Sequence, residues 1–162
     1  MQFTSRITYH AKGTQMHTNP FPQRGKVMAI DLGEKRIGVA VSDGLRMIAS
    51  GHSVFERTSR AADFAHIQTL VTAEQITLLV MGLPIGLDGQ DSRQTAWVRD
   101  YTADLQTHLD IPVVFWDESL TTKQAEASLR ARGKRGRKVQ ERVDAVAAAF
   151  ILQSYLDANY GR

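Results

Sequence analysis

Val27-Met-Ala-Ile-Asp31-Leu-Gly33-Glu-Lys-Arg36-Ile-Gly38-Val-Ala-Val-Ser-Asp43 is the stretch on which the reading of the fold turns. Four apolar residues run straight into Asp31, which puts a carboxylate on a buried strand or at its end, where an ionised group is costly without a cation partner. Gly33 lets the backbone turn and lets a phosphate or metal come close. Ile37, Val39 and Val41 then alternate with Gly38, Ala40 and Ser42 as a returning strand. The pair reads as a hairpin carrying an acid. On the residues alone, Asp31 serves equally well as the cap of a turn.

A chain of 162 residues suits one domain with a proper core. No run approaches the roughly 20 apolar residues of a membrane span, so neither an integral membrane protein nor a membrane partner is expected. Cysteine is absent, which removes disulfides and thiolate metal sites and suits a reducing cytoplasm. Any metal must therefore be held by carboxylate, histidine or water. The net charge of +3 and pI near 9.4 lean weakly towards a polyanionic partner.

Residues 1–25 contain no acid and no apolar periodicity, and Asn19-Pro20-Phe21-Pro22 reads as extended or turning chain, so this part is expected to be a flexible arm. It lacks the apolar core of a secretory signal. Residues 26–162 are expected to form the single domain. After the hairpin, Met47 to Phe55 reads as an edge strand, weakened or bulged at Gly51. Phe64, Ile67, Leu70 and Val71 share a helical face, which predicts a helix over Arg60 to Glu74. Thr77 to Met81 reads as a buried strand feeding the loop Gly82 to Gly89, whose N–H groups suit either phosphate or a plain turn. A helix follows from Asp91, with Trp97, Tyr101 and Leu105 at helical spacing, then a buried strand from Val113 to Trp116. Thr121 with Gln124 has capping-box spacing, which predicts a helix start just after Asp117 and Glu118. A last helix, Val139 to Leu156, is apolar almost all round between Val143 and Leu152 yet carries Asp144. The order of strands and helices implies an α/β fold with a mixed sheet flanked by helices.

Asp31, Glu118 and Asp144 each sit where a mostly apolar element carries an acid. Three carboxylates converging on hard cations is the chemistry of two-metal phosphodiester cleavage, with ions roughly 4 Å apart. Singly, Glu118 also reads as a helix-start acid, and Asp144 as the partner of Arg142 or another nearby base. Between Arg130 and Arg142, seven basic residues surround Gly133 and Gly136 with Glu141 the one acid, a run that is either a solvated loop or a phosphate-holding segment bordering Asp144. The five histidines show no ligand spacing.

Four segments carry a resemblance: Asp31 to Asp43, Val80-Met-Gly-Leu-Pro-Ile-Gly-Leu-Asp-Gly-Gln90, Asp117-Glu-Ser-Leu-Thr-Thr122, and Lys138 through Val143-Asp144-Ala145 to Leu156. Together they resemble the bacterial YqgF/RuvX family, described both as Holliday junction resolvases and as pre-16S rRNA nucleases. That resemblance covers about Lys26 to Asp157. It implies an RNase H-like fold with a five-stranded sheet in the order 3-2-1-4-5, and a magnesium- or manganese-dependent nuclease with a two-metal site. By position, the catalytic and metal-holding acids would be Asp31, Glu118 and Asp144, with Asp117 the alternative to Glu118. The expected nucleic-acid contacts are Lys35, Arg36, Lys123, Lys134, Arg135, Arg137 and Lys138. The substrate would be structured RNA, pre-16S rRNA in ribosome biogenesis, or branched DNA, for which a homodimer suits a symmetric junction.

One departure is Ser119, where the family usually has arginine; Lys123 is the residue placed to take over a phosphate contact. Asp-x-Gly before a Gly-Val-Ala-Val strand also resembles the first phosphate motif of actin-like kinases and chaperones, but those need two such domains and 162 residues cannot supply both. A non-catalytic nucleic-acid-binding module would keep the basic segment and lose the acids, and all three acids are present.

The basic segment yields a direct measurement. Replacing Lys134, Arg135 and Arg137 by alanine should flatten the slope of log affinity against log salt by up to about 2 to 3 units if all three contact phosphate. An unchanged slope would identify a solvated loop.

Overall fold

The computed structural model describes residues 7–9, 24–86, 88–117 and 137–161, with backbone alone for 7–9 and 137–142. Among the described residues the elements are β1 (Ile7–Tyr9), β2 (Lys26–Leu32), β3 (Arg36–Ser42), β4 (Ala49–Glu56), α1 (Arg60–Ala73), β5 (Ile76–Leu83), α2 (Arg93–Gln106), β6 (Val113–Asp117) and α3 (Arg137–Tyr160). They build one sheet in the order β1-β6-β5-β2-β3-β4. The β2–β3 and β3–β4 pairs are antiparallel, while β5 runs parallel to β2 and β6 parallel to β5. Counted from β2, this is the order 3-2-1-4-5 that the family resemblance implies, with β1 added outside β6.

That added strand is a departure from the arm expected over residues 1–25: Ile7–Tyr9 pairs in parallel with Val113–Phe115. Isoleucine, threonine and tyrosine all favour extended backbone, and without them β6 would present a bare edge. The bulge expected near Gly51 is present, as a register shift between Val39↔Ser53 and Ala40↔Gly51. The fourth strand starts at Ala49 rather than Met47, because Asp43 closes the preceding turn by accepting the Met47 and Ile48 N–H groups at 2.7 and 2.9 Å. Those donors, Ile48 first, hold the Asp43 carboxyl below its ordinary pKa.

The central strands separate two cores by strict alternation. Met28, Ile30, Leu79, Met81 and Phe115 face Phe64 and Ile67 of α1 and Val98, Tyr101 and Leu105 of α2. Val27, Ala29, Leu78, Val80, Val114 and Trp116 face Ala148, Ile151, Leu152, Tyr155 and Leu156 of α3. Since β2 and β5 are covered on both faces, they read as continuous apolar runs. Ser59 caps α1, accepting from the Ala62 N–H, and Ser92 caps α2 in a capping box with Thr95.

Far from Asp31, Arg46 is buried in the β3–β4 turn with a left-handed φ of 56°. Its guanidinium donates to the carbonyls of Arg24 and Gly25, to Thr77 Oγ1, and to the Tyr160 hydroxyl at 2.6 Å. This seats the last turn of α3 against the starts of β2 and β5. The Trp116 indole adds a bond to Ser154 Oγ at 3.0 Å.

At the other end of the helix, α3 lies almost backbone to backbone on the sheet. A Cβ at Gly38 would overlap the Asp144 carbonyl oxygen and come within 2.7 Å of its carbon, and one at Gly51 would stand 3.2 Å from the Ala145 Cβ. Gly44 has nothing within 4 Å of the same position. Gly38→Ala should therefore cost about 2 kcal/mol or more, a drop in melting temperature of about 5 °C. Gly51→Ala should cost less, and Gly44→Ala should be near neutral. Thermal melts of the three variants check the ranking.

Candidate functional site

Asp31 is the penultimate residue of β2, at the carboxyl end of the parallel strands, and is half-buried. Alternation from Val27 and Ala29 places it on the α3 face of the sheet. Directly opposite on β3 is Gly38, and the Asp144 backbone rests on Gly38. Two acids 113 positions apart in sequence thus flank the same residue on one face of the sheet, because that residue has no side chain.

The Asp144 carboxylate has a partner already. Arg36 Nε donates to its Oδ2 at 2.8 Å, with side-chain exposures of 26% and 21% for the two residues. The expected local partner, Arg142, has no described side chain; the base that Asp144 meets comes from the start of β3. Lys35 lies in the turn just before Arg36, exposed.

That turn is tight. The Gly33 N–H donates to the Arg36 carbonyl at 3.0 Å, and a Cβ on Gly33 would come within 2.7 Å of the same oxygen. Arg57, just past β4, grips it from outside. Its N–H donates to the Lys35 carbonyl at 2.9 Å, and its Nη1 donates to the Glu34 carbonyl at 3.1 Å and, more weakly, to that of Gly33 at 3.5 Å. Its Nε meets Asp63 Oδ2 at 3.1 Å, where the acid is 1% exposed. The Tyr101 hydroxyl donates to the same oxygen at 3.2 Å, and the guanidinium stacks 4.9 Å from the Trp97 ring centre. Burial, then the Asp63 charge, raise the Tyr101 phenol far above its ordinary pKa and keep it a donor.

Sequence reading missed this clamp. Asp63 passes for an ordinary first-turn acid, and the one available signal was its position on the face of Phe64 and Ile67, which makes it an acid on an apolar face like Asp144.

The loop after β5 supports the plain-turn reading for two of its N–H groups and for that of Gln90 just past it. Gly86 donates to the Gln90 carbonyl at 3.3 Å and Gly89 to that of Gly86 at 2.8 Å, while Gln90 donates to Asp88 Oδ1 at 3.0 Å. The Thr95 hydroxyl anchors the loop through the Pro84 carbonyl.

Asp117 ends β6 beside Leu83, and alternation puts it with Val113 and Phe115 on the α1/α2 side, away from Asp31. Glu118, Ser119, Lys123, Lys134 and Arg135, with the helix start expected at Thr121, lie outside the described residues; Arg137 and Lys138 are described as backbone in the first turn of α3. Among the described residues no three His, Asp or Glu side chains gather as a metal site, so the described donors are the pair Asp31 and Asp144. Their carboxylate oxygens are the donor type that hard divalent cations take. No described helix is long and apolar enough to cross a membrane.

Comparison with known proteins agrees over nearly the whole described region. The RuvX family model, described as Holliday junction resolvase, matches residues 25–158. Proteins named "Putative pre-16S rRNA nuclease" match at 39% identity over 132 residues in Syntrophomonas wolfei (82% of this chain, 94% of that one). The figures are 40% over 134 residues in Roseiflexus sp. (83% and 95%) and 42% over 133 in Syntrophus aciditrophicus (82% and 89%). Among solved structures, Thermus thermophilus RuvC bound to a Holliday junction substrate aligns with a TM-score of 0.52 at 16% identity, covering 85% of this chain and 96% of that one. The yeast mitochondrial Holliday junction resolvase aligns with a TM-score of 0.55 at 11% identity, covering 89% and 82%. These two establish the shared RNase H-like fold.

The buried clamp carries its own test. Asp63→Ala leaves the Arg57 charge largely buried without its carboxylate and should cost about 3 kcal/mol, read as a lower urea midpoint. Amide exchange at Arg57, whose N–H closes on Lys35, should quicken at the same time.

Proposed function

Because this chain belongs to the RuvX family, we propose that it hydrolyses phosphodiester bonds of precursor 16S rRNA at a divalent-metal site formed by Asp31, Asp144 and Glu118. It is a nuclease of the RNase H-like fold. The observation that carries the site is the Asp31–Gly38–Asp144 stack, in which strand register and a missing side chain bring two acids to one face. The family match over residues 25–158 supports 26–162 as the nuclease domain, with 1–25 an arm that contributes β1. The substrate comes from the names of the relatives and implies a cytoplasmic location.

Magnesium or manganese at such a site would activate a water and stabilise the leaving oxygen. The chain's own residues do the rest. Asp31 comes from the rigid centre of the sheet, so its carboxylate is pre-positioned rather than recruited. Asp144 comes from the opposite layer and closes the site from the α3 side. Glu118 is preferred to Asp117 as the third acid, since Asp117 belongs to the other face of the sheet. Arg36 pairs with Asp144, Lys35 precedes Arg36 in the exposed turn, and Arg137 and Lys138 open the helix that carries Asp144. Basic groups so placed hold phosphates without reading bases.

Branched DNA is the second reading, carried by the description of the matching family model. Paired cuts across a symmetric junction would need a second copy of the chain.

Purified protein with manganese, given a 16S precursor RNA and a four-way DNA junction side by side, separates the two, and precursor cleavage is the expected result. Asp31→Asn and Asp144→Asn should each lower turnover by about three orders of magnitude, several kcal/mol of lost stabilisation, while metal-free affinity for nucleic acid stays near wild type. Asp144→Asn should also lower the melting temperature by a few degrees, since Arg36 loses a charged partner. Cutting of neither substrate across divalent ions, with binding intact, would leave a binding module; near-normal turnover in a stable Asp144→Asn would remove that residue from the site.

A further inference from the structure

We propose that Arg36 is an exchangeable counter-ion that holds the Asp144 carboxylate before a metal loads and passes to a substrate phosphate once Asp144 takes the metal. The inference rests on Asp144 being a metal ligand, as proposed above. Its starting point is the ion pair itself, Arg36 Nε to Asp144 Oδ2 at 2.8 Å, which joins the two layers that build the site.

The two partners differ in freedom. The Asp144 backbone is pressed onto Gly38, so its Cα is fixed and its carboxylate is confined to the short reach of the aspartate side chain. Arg36 is the first residue of β3, directly after the tight turn of Gly33, and carries a long side chain that reaches different points around a fixed Cα. Of the two, the guanidinium is the group that moves.

Charge decides when it moves. A guanidinium within hydrogen-bond distance of a carboxylate oxygen repels a dication at that carboxylate, and the pair is too buried for water to screen the repulsion fully. The departing guanidinium then needs a new anion. A phosphate oxygen pair matches its planar fork better than a single carboxylate oxygen does. The Arg57 clamp on Gly33, Glu34 and Lys35 keeps the hinge of this exchange in place. Metal and nucleic acid therefore reinforce each other through one side chain, and by linkage each raises the other's affinity by the same factor.

Manganese affinity without nucleic acid tests this, measured from free manganese by electron paramagnetic resonance in a double-mutant cycle. Arg36→Gln should tighten manganese binding about 5- to 10-fold by removing the competitor. It should also weaken binding of a manganese-loaded, non-hydrolysable RNA hairpin. In an Asp144→Asn background the same substitution should leave manganese affinity unchanged, because the competed carboxylate is gone. An equal gain in both backgrounds would mean a general through-space charge effect and would overturn the exchange, as would no gain in either. Arg36→Lys keeps the charge and should fall between wild type and Arg36→Gln, which covers the case in which Arg36→Gln does not fold. The underlying reading fails separately: if Asp144→Asn alone binds manganese as tightly as wild type, Asp144 is no ligand.

Discussion

A hydrogen in place of a side chain at Gly38 is the constraint on which the rest depends. It sets the separation between α3 and the sheet, because any Cβ there would overlap the Asp144 carbonyl. It also sets what faces Asp31, its partner across the strands. Interiors are packed like crystals, so a helix whose backbone touches a strand at one residue has little room to slide. The cluster of Ala148, Ile151, Leu152 and Tyr155 against Val27, Ala29 and Val80 then has one arrangement that fits. Packing and site geometry are in this sense one property of the molecule, and a residue with no chemistry of its own governs both.

Much of the fold was legible because its signals are local. Alternation from Ile37 to Ser42, the apolar runs of β2, β5 and β6, and the helical spacing of Phe64, Ile67 and Leu70 are short-range patterns that tertiary contacts did not override. Helix ends shifted by a few residues, as at α2, which starts at Arg93 because Ser92 caps it. The strand Ile7–Tyr9 escaped notice because three residues carry no period and their pairing is supplied by distant β6. Among the candidate acids, Asp31 and Asp144 stood out as charges in apolar settings. What could not be read was whom they meet. Arg36 lies 108 positions from Asp144, and no rule of spacing links them.

The same limit hid the Arg57–Asp63–Tyr101 cluster, whose parts come from the end of β4, the first turn of α1 and the middle of α2. Its location explains why so costly a group persists. A buried ion pair contributes little net stability over apolar packing of the same volume, but a guanidinium can satisfy several carbonyls at once, which no apolar side chain does. Here those carbonyls belong to the turn between Asp31 and Arg36. The burial of charge is concentrated where backbone direction matters most.

At the far pole, the Arg46 guanidinium and the Tyr160 hydroxyl hold the last turn of α3. Tyr160 lies sixteen positions along the helix from Asp144, a span of about 24 Å. Over such an arm a tilt of only about one degree at the Arg46 seat displaces the Asp144 carboxylate by roughly 0.4 Å, comparable to the tolerance of about 0.5 Å within which catalytic groups must be held. The angular stiffness of this polar socket thus enters the placement of the Asp144 carboxylate, as the bearing of a lever sets the accuracy of its tip.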